Sequence, residues 1–216
     1  METYKYNINK YNFSKLVSST FGVSDLNNIH NSNEFSYDYV FERKNDQSTH
    51  WHSKFYKLAR TEEFKSMYTS FIDTVVKPLY DNQIVYQTIP TFRLQFPNNI
   101  AVGEYHRDRD YRDGAWSNEV KELNFFLPIT DAFSTNTIWV ESSEGLEDYT
   151  PMNVKYGEFV RWDGSNLKHG NKVNQENVTR ISMDFRVIDY KNYIPSDKGS
   201  INVNTQFKIG GYYSIL

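Results

Sequence analysis

The sequence contains no cysteine. Disulfides, thiolate metal ligands and cysteine nucleophiles are therefore excluded, and the strong metal ligands that remain are histidine and carboxylate side chains. Histidine is itself scarce, with five residues among 216. A metal site that uses imidazoles has very few candidates in this chain.

Long apolar runs and an excess of positive charge are also missing. No apolar stretch approaches the roughly 20 residues that span a bilayer, and the polar, aromatic N-terminus has no apolar segment that could act as a secretion signal. The net charge is −3, with lysine and arginine spread along the chain, which does not favour a nucleic-acid or membrane partner. We therefore expect a cytoplasmic protein whose partner is a small-molecule substrate.

Aromatic side chains, by contrast, are abundant, with 17 tyrosines and 15 phenylalanines. They supply a large buried area, and tyrosines can also line a pocket for a polar ligand. The length suits one domain. We expect a single domain over 1–216, with a mostly helical or irregular part at 1–80, a β core at 81–190 and a C-terminal extension at 191–216.

The N-terminal part contains one clearly periodic segment. Thr61 has the side chain of a helix N-cap, and the two glutamates after it lie in the first turn, where the helix dipole favours them. Apolar residues then recur at helical spacing until Pro78. This pattern predicts a helix with one apolar face that covers a sheet. A shorter helix is predicted around Phe13–Val17, and the rest of 1–60 is expected to be irregular.

After residue 80 the pattern changes to short strands separated by turns. Many short strands behind one or two helices predict a mainly β fold with flanking helices, a jelly roll or related β-sandwich of cupin-like architecture. The predicted strands are Gln83–Ile89, Phe92–Phe96, Ala101–Asp108, Glu122–Leu127, Thr137–Glu141, Phe159–Trp162 and Arg180–Ile188.

His106 and Asp108 lie two residues apart on one of these predicted strands. Residues at this spacing face the same side of a strand, so both side chains would project into one cavity. Together they supply two corners of a 2-His-1-carboxylate site, which leaves coordination positions open at a bound iron. His-x-Asp is a short motif that also arises by chance, so it needs support from elsewhere in the chain.

The third ligand must come from further along the chain. His169 is the only histidine after Asp108. A lone histidine in a Lys-His-Gly segment is usually a surface residue. The alternative, that His169 is the third metal ligand, makes a definite prediction. The imidazole of His169 should lie beside His106 and Asp108.

Further support comes from the last predicted strand. On it Arg180 and Ser182 would share one face, and the apolar residues between and beyond them the other. An inward arginine suits an anionic ligand because a guanidinium can bind a carboxylate through two hydrogen bonds, to which the serine hydroxyl can add another. The alternative is a salt bridge from Arg180 to a neighbouring strand.

Taken in order, His106-x-Asp108, His169 and Arg180-x-Ser182 resemble the signature of Fe(II)/2-oxoglutarate oxygenases, whose fold is a double-stranded β-helix. More narrowly, the second half of the chain is similar to oxygenases of the streptomycin-biosynthesis type. The matching stretches are Pro97–Asn99, Val102–Asp108, Glu122–Thr130, Asn136–Ser142, Gly157–Glu158, Asp163–Gly164, His169–Asn171 and Arg180–Arg186.

This resemblance implies Fe(II) as the metal and 2-oxoglutarate and O2 as cosubstrates, with release of succinate and CO2. His106, Asp108 and His169 would ligate the iron. Arg180 and Ser182 would hold the distal carboxylate of 2-oxoglutarate.

Other positions are less decided. Asn124 would either contact the cosubstrate or tie two strands together. Asp108 favours hydroxylation over halogenation, because related halogenases carry a small residue in place of the carboxylate. The resemblance suggests a sugar-like or aminocyclitol substrate. The candidate substrate contacts are Arg93, Tyr105, Arg107, Trp139 and Lys168, each of which could instead be a solvated charge or a core aromatic.

Two rival functions stay open at this point. A cupin-like metalloenzyme that needs no 2-oxoglutarate would use His106 and His169 but not Arg180. A non-catalytic β-sandwich that binds carbohydrate through Trp139 and its tyrosines would bind no iron. The aromatic tail Phe207–Tyr213 would pack back on the β core or form part of a homodimer contact.

Overall fold

The computed structural model describes residues 1–32, 49–101, 104–111, 119–199 and 205–216. Three α-helices lie in these ranges before the main run of strands: α1 (Phe13–Phe21), α2 (His50–Leu58) and α3 (Glu62–Phe71). The strands are β1 (Glu2–Lys5), β2 (Ile84–Gln87), β3 (Thr91–Gln95), β4 (Leu123–Pro128), β5 (Ile138–Val140), β6 (Thr150–Pro151), β7 (Glu158–Trp162), β8 (His169–Asn171), β9 (Arg180–Asp189) and β10 (Tyr213–Ile215).

These strands form two antiparallel sheets. The larger has the order β1-β7-β4-β9-β2-β10, and β3 pairs with the first half of β9. The smaller has the order β6-β5-β8. The prediction of a mainly β fold with flanking helices is confirmed, and its two antiparallel sheets are consistent with a β-sandwich.

The long central strand β9 separates the apolar core from the polar interior. Ile181, Met183, Phe185 and Val187 are fully buried in the main hydrophobic cluster together with residues of the N-terminal helices. Arg180 and Ser182 alternate with them and face the other side, in register with β3 and β4. The predicted division of this strand into two faces is confirmed.

Helix α3 covers the apolar side of the larger sheet, as its periodicity predicts. It begins where the side chain of Thr61 accepts a hydrogen bond from the backbone N–H of Phe64. Two of its buried rings pack edge-on against strand residues. Tyr68 lies 5.7 Å from Phe185 between ring centroids, and Phe71 lies 5.6 Å from Phe159.

Several elements differ from the expectation. Strand β1 and helix α2 lie in the part expected to be irregular, and α1 continues to Phe21, where Gly22 ends it with φ 72°. The predicted strand Ala101–Asp108 is wrong in its described residues. His106 forms an isolated antiparallel bridge and a 3-10 helix starts at Asp108, while 102–103 lie outside the described residues.

The C-terminal residues return to the larger sheet. Strand β10 pairs with β2, with Tyr213 opposite Gln87. The tail therefore packs back on the β core, and a homodimer contact stays a prediction. None of the helices in the described ranges has the length and apolar character that crossing a bilayer requires.

Candidate metal centre

The backbone brings two distant histidines side by side. His106 and His169 face each other as an antiparallel bridge. Each donates its N–H to the other's carbonyl oxygen at 2.9 Å. Their rings consequently lie 4.5 Å apart between centroids.

Both imidazoles present the same nitrogen to the space between them. Nδ1 of His106 lies 2.9 Å from the carbonyl oxygen of Glu104, and Nδ1 of His169 lies 2.9 Å from that of Leu167. A carbonyl oxygen only accepts, so each Nδ1 is the donor and each Nε2 is left with its lone pair. The two Nε2 atoms lie 3.7 and 3.9 Å from Oδ1 of Asp108. One ligand atom from each of the three residues lies within 4.8 Å of the others.

The carboxylate of Asp108 is held from behind by its other oxygen. Oδ2 accepts hydrogen bonds from Nδ2 of Asn124 at 2.8 Å and from Nη2 and Nε of Arg186 at 2.8 and 3.2 Å. The backbone N–H of Asp108 donates to the carbonyl oxygen of Gly164 at 3.0 Å. With Oδ2 and the backbone fixed in this way, Oδ1 faces the two imidazoles.

Burial keeps one of the imidazoles neutral. It lowers the pKa of His169 to about 4, an effect that Asp108 opposes and His106 reinforces. The edge of the Trp162 indole packs against this ring at 4.6 Å between centroids. A neutral, locked imidazole is the form that ligates a metal.

Arg180 lines the same cavity as these three residues, and this cavity opens to solvent. The arginine is 1% exposed. Its guanidinium donates to neutral acceptors, namely the carbonyl oxygen of Asn136 at 3.0 Å, Oγ of Ser182 at 2.9 Å and Oε1 of Gln95 at 3.2 Å.

The electrostatics of Arg180 favour an anionic ligand. Burial lowers its pKa to about 10, although the charge of Asp184 opposes this. No carboxylate among the described residues lies within salt-bridge distance of the guanidinium. In this part of the chain Arg180 therefore forms no salt bridge to a neighbouring strand. A buried cation with neutral partners suits a carboxylate entering from the cavity.

The predicted substrate contacts divide into two groups. Arg93 lines the cavity, where its Nε lies 3.3 Å from Oδ2 of Asp184. The other four are not among the cavity-lining residues that the structure describes. Their contacts are elsewhere. Tyr105 stacks edge-on with Tyr149, Arg107 donates to the carbonyl oxygen of Asn166, Trp139 donates to that of Ser134, and Lys168 pairs with Glu147.

Several residues at the site were not predicted, including Asp184, which pairs with Arg93. Arg186 and Gln95 contact Asp108 and Arg180, respectively. For Arg186 a signal was available, because it shares the alternation of Arg180 and Ser182 along the same strand. Asn124 was expected either to contact the cosubstrate or to tie two strands together. In the structure its amide instead donates to Asp108. A contact of Asn124 with a cosubstrate stays a prediction.

A half-buried imidazole, a buried imidazole and a buried carboxylate in a mainly β scaffold define the class of site as a candidate non-heme metal centre. The chain belongs to the family of the streptomycin biosynthesis protein StrG of Streptomyces griseus, with which it is 33% identical over 98% of its length and 96% of the relative's. No protein-family model matches the chain.

Solved structures show the fold. The chain resembles the non-heme alpha-ketoglutarate-dependent carbocyclase SnoK from nogalamycin biosynthesis with a TM-score of 0.51, covering 76% of this chain and 74% of that one at 12% identity. A non-heme monooxygenase, ThoJ, in complex with nickel resembles it more loosely, with a TM-score of 0.47 over 86% of this chain and 71% of that one at 9% identity. The likeness to SnoK establishes a shared fold.

Proposed function

We propose that this protein is an Fe(II)- and 2-oxoglutarate-dependent oxygenase, built as a single double-stranded β-helix (jelly-roll) domain, that hydroxylates a small polar metabolite. The observation that carries the proposal is the convergence of three ligand atoms in one cavity. Nε2 of His106, Nε2 of His169 and Oδ1 of Asp108 meet there, and Arg180 lines the same cavity.

The donor set fits a ferrous ion. Two imidazoles and one carboxylate are the facial set that leaves positions open for cosubstrate and oxygen. Both imidazoles have their outer nitrogen fixed on a backbone carbonyl, as metal-bound histidines almost always do. His106, Asp108 and His169 are therefore the residues that would hold the iron.

The surroundings of Arg180 fit the distal carboxylate of 2-oxoglutarate. A guanidinium has five N–H donors, and three of its side-chain hydrogen bonds go to protein acceptors in the described part of the chain. The remaining donors can bind a carboxylate. Ser182 accepts from Arg180, is fully buried and is not among the described cavity-lining residues, so its own contact with the cosubstrate stays a prediction. The positive charge thus gains the anionic partner that its neutral neighbours do not supply.

When bound, iron and 2-oxoglutarate would activate O2, the oxidant of the reaction, and 2-oxoglutarate would leave as succinate and CO2. The residues of the chain bind, orient and shield. Apolar side chains of Ile138 and Trp162 form part of the cavity wall and limit the access of water. Because Asp108 supplies a carboxylate ligand, hydroxylation is favoured over halogenation.

The proposed substrate class is based on the residues that line the cavity and on the proteins that the chain is similar to. The cavity wall carries Arg93 and Asp184 beside the metal centre, so it offers both donors and acceptors to a polar molecule. StrG is a streptomycin biosynthesis protein, and SnoK is a carbocyclase from nogalamycin biosynthesis. These relatives support a role in the synthesis of a natural product, with a sugar-like or aminocyclitol molecule as the substrate.

Anaerobic addition of Fe(II) and then 2-oxoglutarate tests the proposal without knowledge of the substrate. We expect a weak visible charge-transfer band that appears only when both are present, because the keto-acid must chelate the iron. Iron binding without this band would favour a metalloenzyme that does not use 2-oxoglutarate. Failure to bind iron would favour a non-catalytic carbohydrate-binding protein.

A further inference from the structure

Arg186 is the centre of a buried network behind the metal site. It lies on β9, where Asn124 of β4 is its register partner. Its Nη2 and Nε both donate to a single oxygen of Asp108, Oδ2. The same Nε also lies 3.5 Å from Oε1 of Glu122, a residue only 1% exposed.

The network continues into the last strand of the chain. The hydroxyl of Tyr213, on β10, donates to Oε2 of Glu122. Nη1 of Arg186 donates to the hydroxyl oxygen of Tyr212 at 3.3 Å and to Oε1 of Gln87 at 3.4 Å. Tyr213 is fully buried, and its strand is fixed by pairing with β2. The C-terminal strand is therefore linked to Asp108 through two residues, Glu122 and Arg186.

This geometry distinguishes the two oxygens of Asp108. A carboxylate can ligate through one oxygen or through both. Here Oδ2 receives three N–H donors, two from Arg186 and one from Asn124, whereas Oδ1 is the oxygen nearest the imidazoles. Three N–H donors on Oδ2 occupy the lone pairs of that oxygen, so it is a poorer metal ligand than Oδ1.

We propose that Arg186 is a positioning residue that makes Asp108 a ligand through Oδ1 alone, and that the C-terminal strand braces Arg186 through Glu122 and Tyr213. The inference rests on the proposed metal site at His106, Asp108 and His169. Contacts of this kind around a metal orient its ligands and typically change metal affinity by 10- to 100-fold when they are removed.

Charge and position have to be separated in the test, because removing a cation beside a metal site also lowers the repulsion that a metal ion meets. Arg186→Lys keeps the charge and removes the fork. The double variant Arg186→Met with Glu122→Gln removes one positive and one negative charge, so that Glu122 is not left as a buried carboxylate without its cation and the loss falls on Asp108 alone. Arg161→Lys is the matched control. Arg161 lies on β7 of the same sheet and donates to the exposed Glu2.

The measurement is a titration of the full-length, metal-free protein with Co(II) alone, followed by visible absorption. In the wild type we expect a spectrum that disappears in His106→Ala. Both Arg186 variants should bind Co(II) about 10- to 100-fold more weakly, with a changed spectrum because a second carboxylate oxygen reaches the ion. Arg161→Lys should match the wild type.

The brace is tested by Tyr213→Phe, which keeps the ring and removes the hydroxyl. We expect a smaller loss of Co(II) affinity, of about two- to tenfold, since the lost hydrogen bond is two contacts further from the ion than the Arg186–Asp108 pair. Tyr80→Phe is its control, because the buried hydroxyl of Tyr80 has no hydrogen-bond partner among the described residues.

The outcomes are distinguishable. Wild-type affinity and spectrum in both Arg186 variants overturn the proposal, and so does tighter binding with an unchanged spectrum, which would make Arg186 only a charge. Unchanged Co(II) binding in Tyr213→Phe overturns the brace. Failure of the wild type to give a spectrum that depends on His106 would instead overturn the proposed function.

Discussion

His106 and His169 are joined by two backbone hydrogen bonds of 2.9 Å, one in each direction. His169 lies on β8 of the smaller sheet, whereas His106 contributes to the sheet only through this bridge. The separation of the two imidazoles is therefore set by the pairing of the backbone, which does not depend on the ring atoms. Replacing one ring should remove a metal ligand and leave the pairing in place.

We expect His169→Gln to lose Fe(II) affinity by more than the roughly 10- to 100-fold that is typical of an outer contact, because it removes a direct ligand. Equilibrium dialysis under anaerobic conditions measures this, and thermal unfolding should show a folded protein. His30→Gln is the matched control, since His30 bonds to Thr179 through Nδ1 at 2.8 Å and is not part of the cluster. Equal loss of iron in both variants would contradict the assignment.

The role of Arg180 can be tested with two ligands that differ in one group. Arg180→Met should weaken the binding of 2-oxoglutarate to the Fe(II) protein by about 10- to 100-fold, the equivalent of one charge-assisted hydrogen-bonded pair. It should leave the binding of 2-oxobutanoate, which has no distal carboxylate, within about twofold of the wild type. The charge-transfer band reports both titrations. Similar losses for the two keto-acids would mean that the variant damages the cavity and that Arg180 does not recognise the carboxylate.

Local patterns were enough to predict some of these features. Alternation along β9 placed Arg180 and Ser182 opposite the apolar core, and helical spacing after Thr61 gave α3, because both patterns need only neighbours in sequence. The convergence of His169 with His106 was predicted from the scarcity of histidine. The local reason given for His106 and Asp108 was wrong, since Asp108 begins a 3-10 helix and reaches the imidazoles through the turn.

Features that depend on the register between distant strands could not be predicted from the sequence. The contact of Asn124 with Asp108 requires β4 and the turn at Gly164 to meet, which no short pattern encodes. Strands of three residues such as β8 and β10 are too short to show a period. Arg107 and Lys168 were chosen for their nearness to metal ligands. Nearness in sequence does not place a side chain in the cavity, since Arg107 donates to the carbonyl oxygen of Asn166 and Lys168 pairs with Glu147.

The close approach of Gly164 to Asn124 makes a further prediction. A Cβ at Gly164 would lie 2.6 Å from Nδ2 and 2.7 Å from Cγ of Asn124, too close for either group to stay in place. We expect Gly164→Ala to displace the amide from Asp108 and to weaken Co(II) binding by about tenfold. The control is Gly22→Ala. A Cβ added at Gly22 would have nothing within 4 Å, but the φ of +72° at this position is unfavourable for alanine.

The control should lose about 1–2 kcal/mol of stability from backbone strain and keep its Co(II) affinity. Chemical denaturation and Co(II) titration of both variants separate the two effects. If Gly164→Ala binds Co(II) as the wild type does, the amide of Asn124 is not needed to hold the carboxylate.

The pH dependence of stability should carry the signature of His52, which is 5% exposed at the start of α2. Burial lowers its pKa from the ordinary 6.5 to about 3, and the positive charge of Arg93 acts in the same direction. The unfolded chain therefore binds a proton in a range where the folded protein does not. The stability that the neutral side chain contributes is fully present above pH 6.5 and is lost as the pH falls towards 3.

One group of this kind lowers the free energy of unfolding by at most about 1.4 kcal/mol for each pH unit. Other buried groups add to the slope of the wild type, so the test is a difference. We expect the free energy of unfolding of His52→Gln, from urea titrations between about pH 6 and pH 4, to fall less steeply by about 1 kcal/mol per unit. The amide of glutamine can still accept from the hydroxyl of Thr49, which contacts Nδ1 of His52 at 2.7 Å. Parallel slopes in the two proteins would mean that His52 takes up its proton without unfolding.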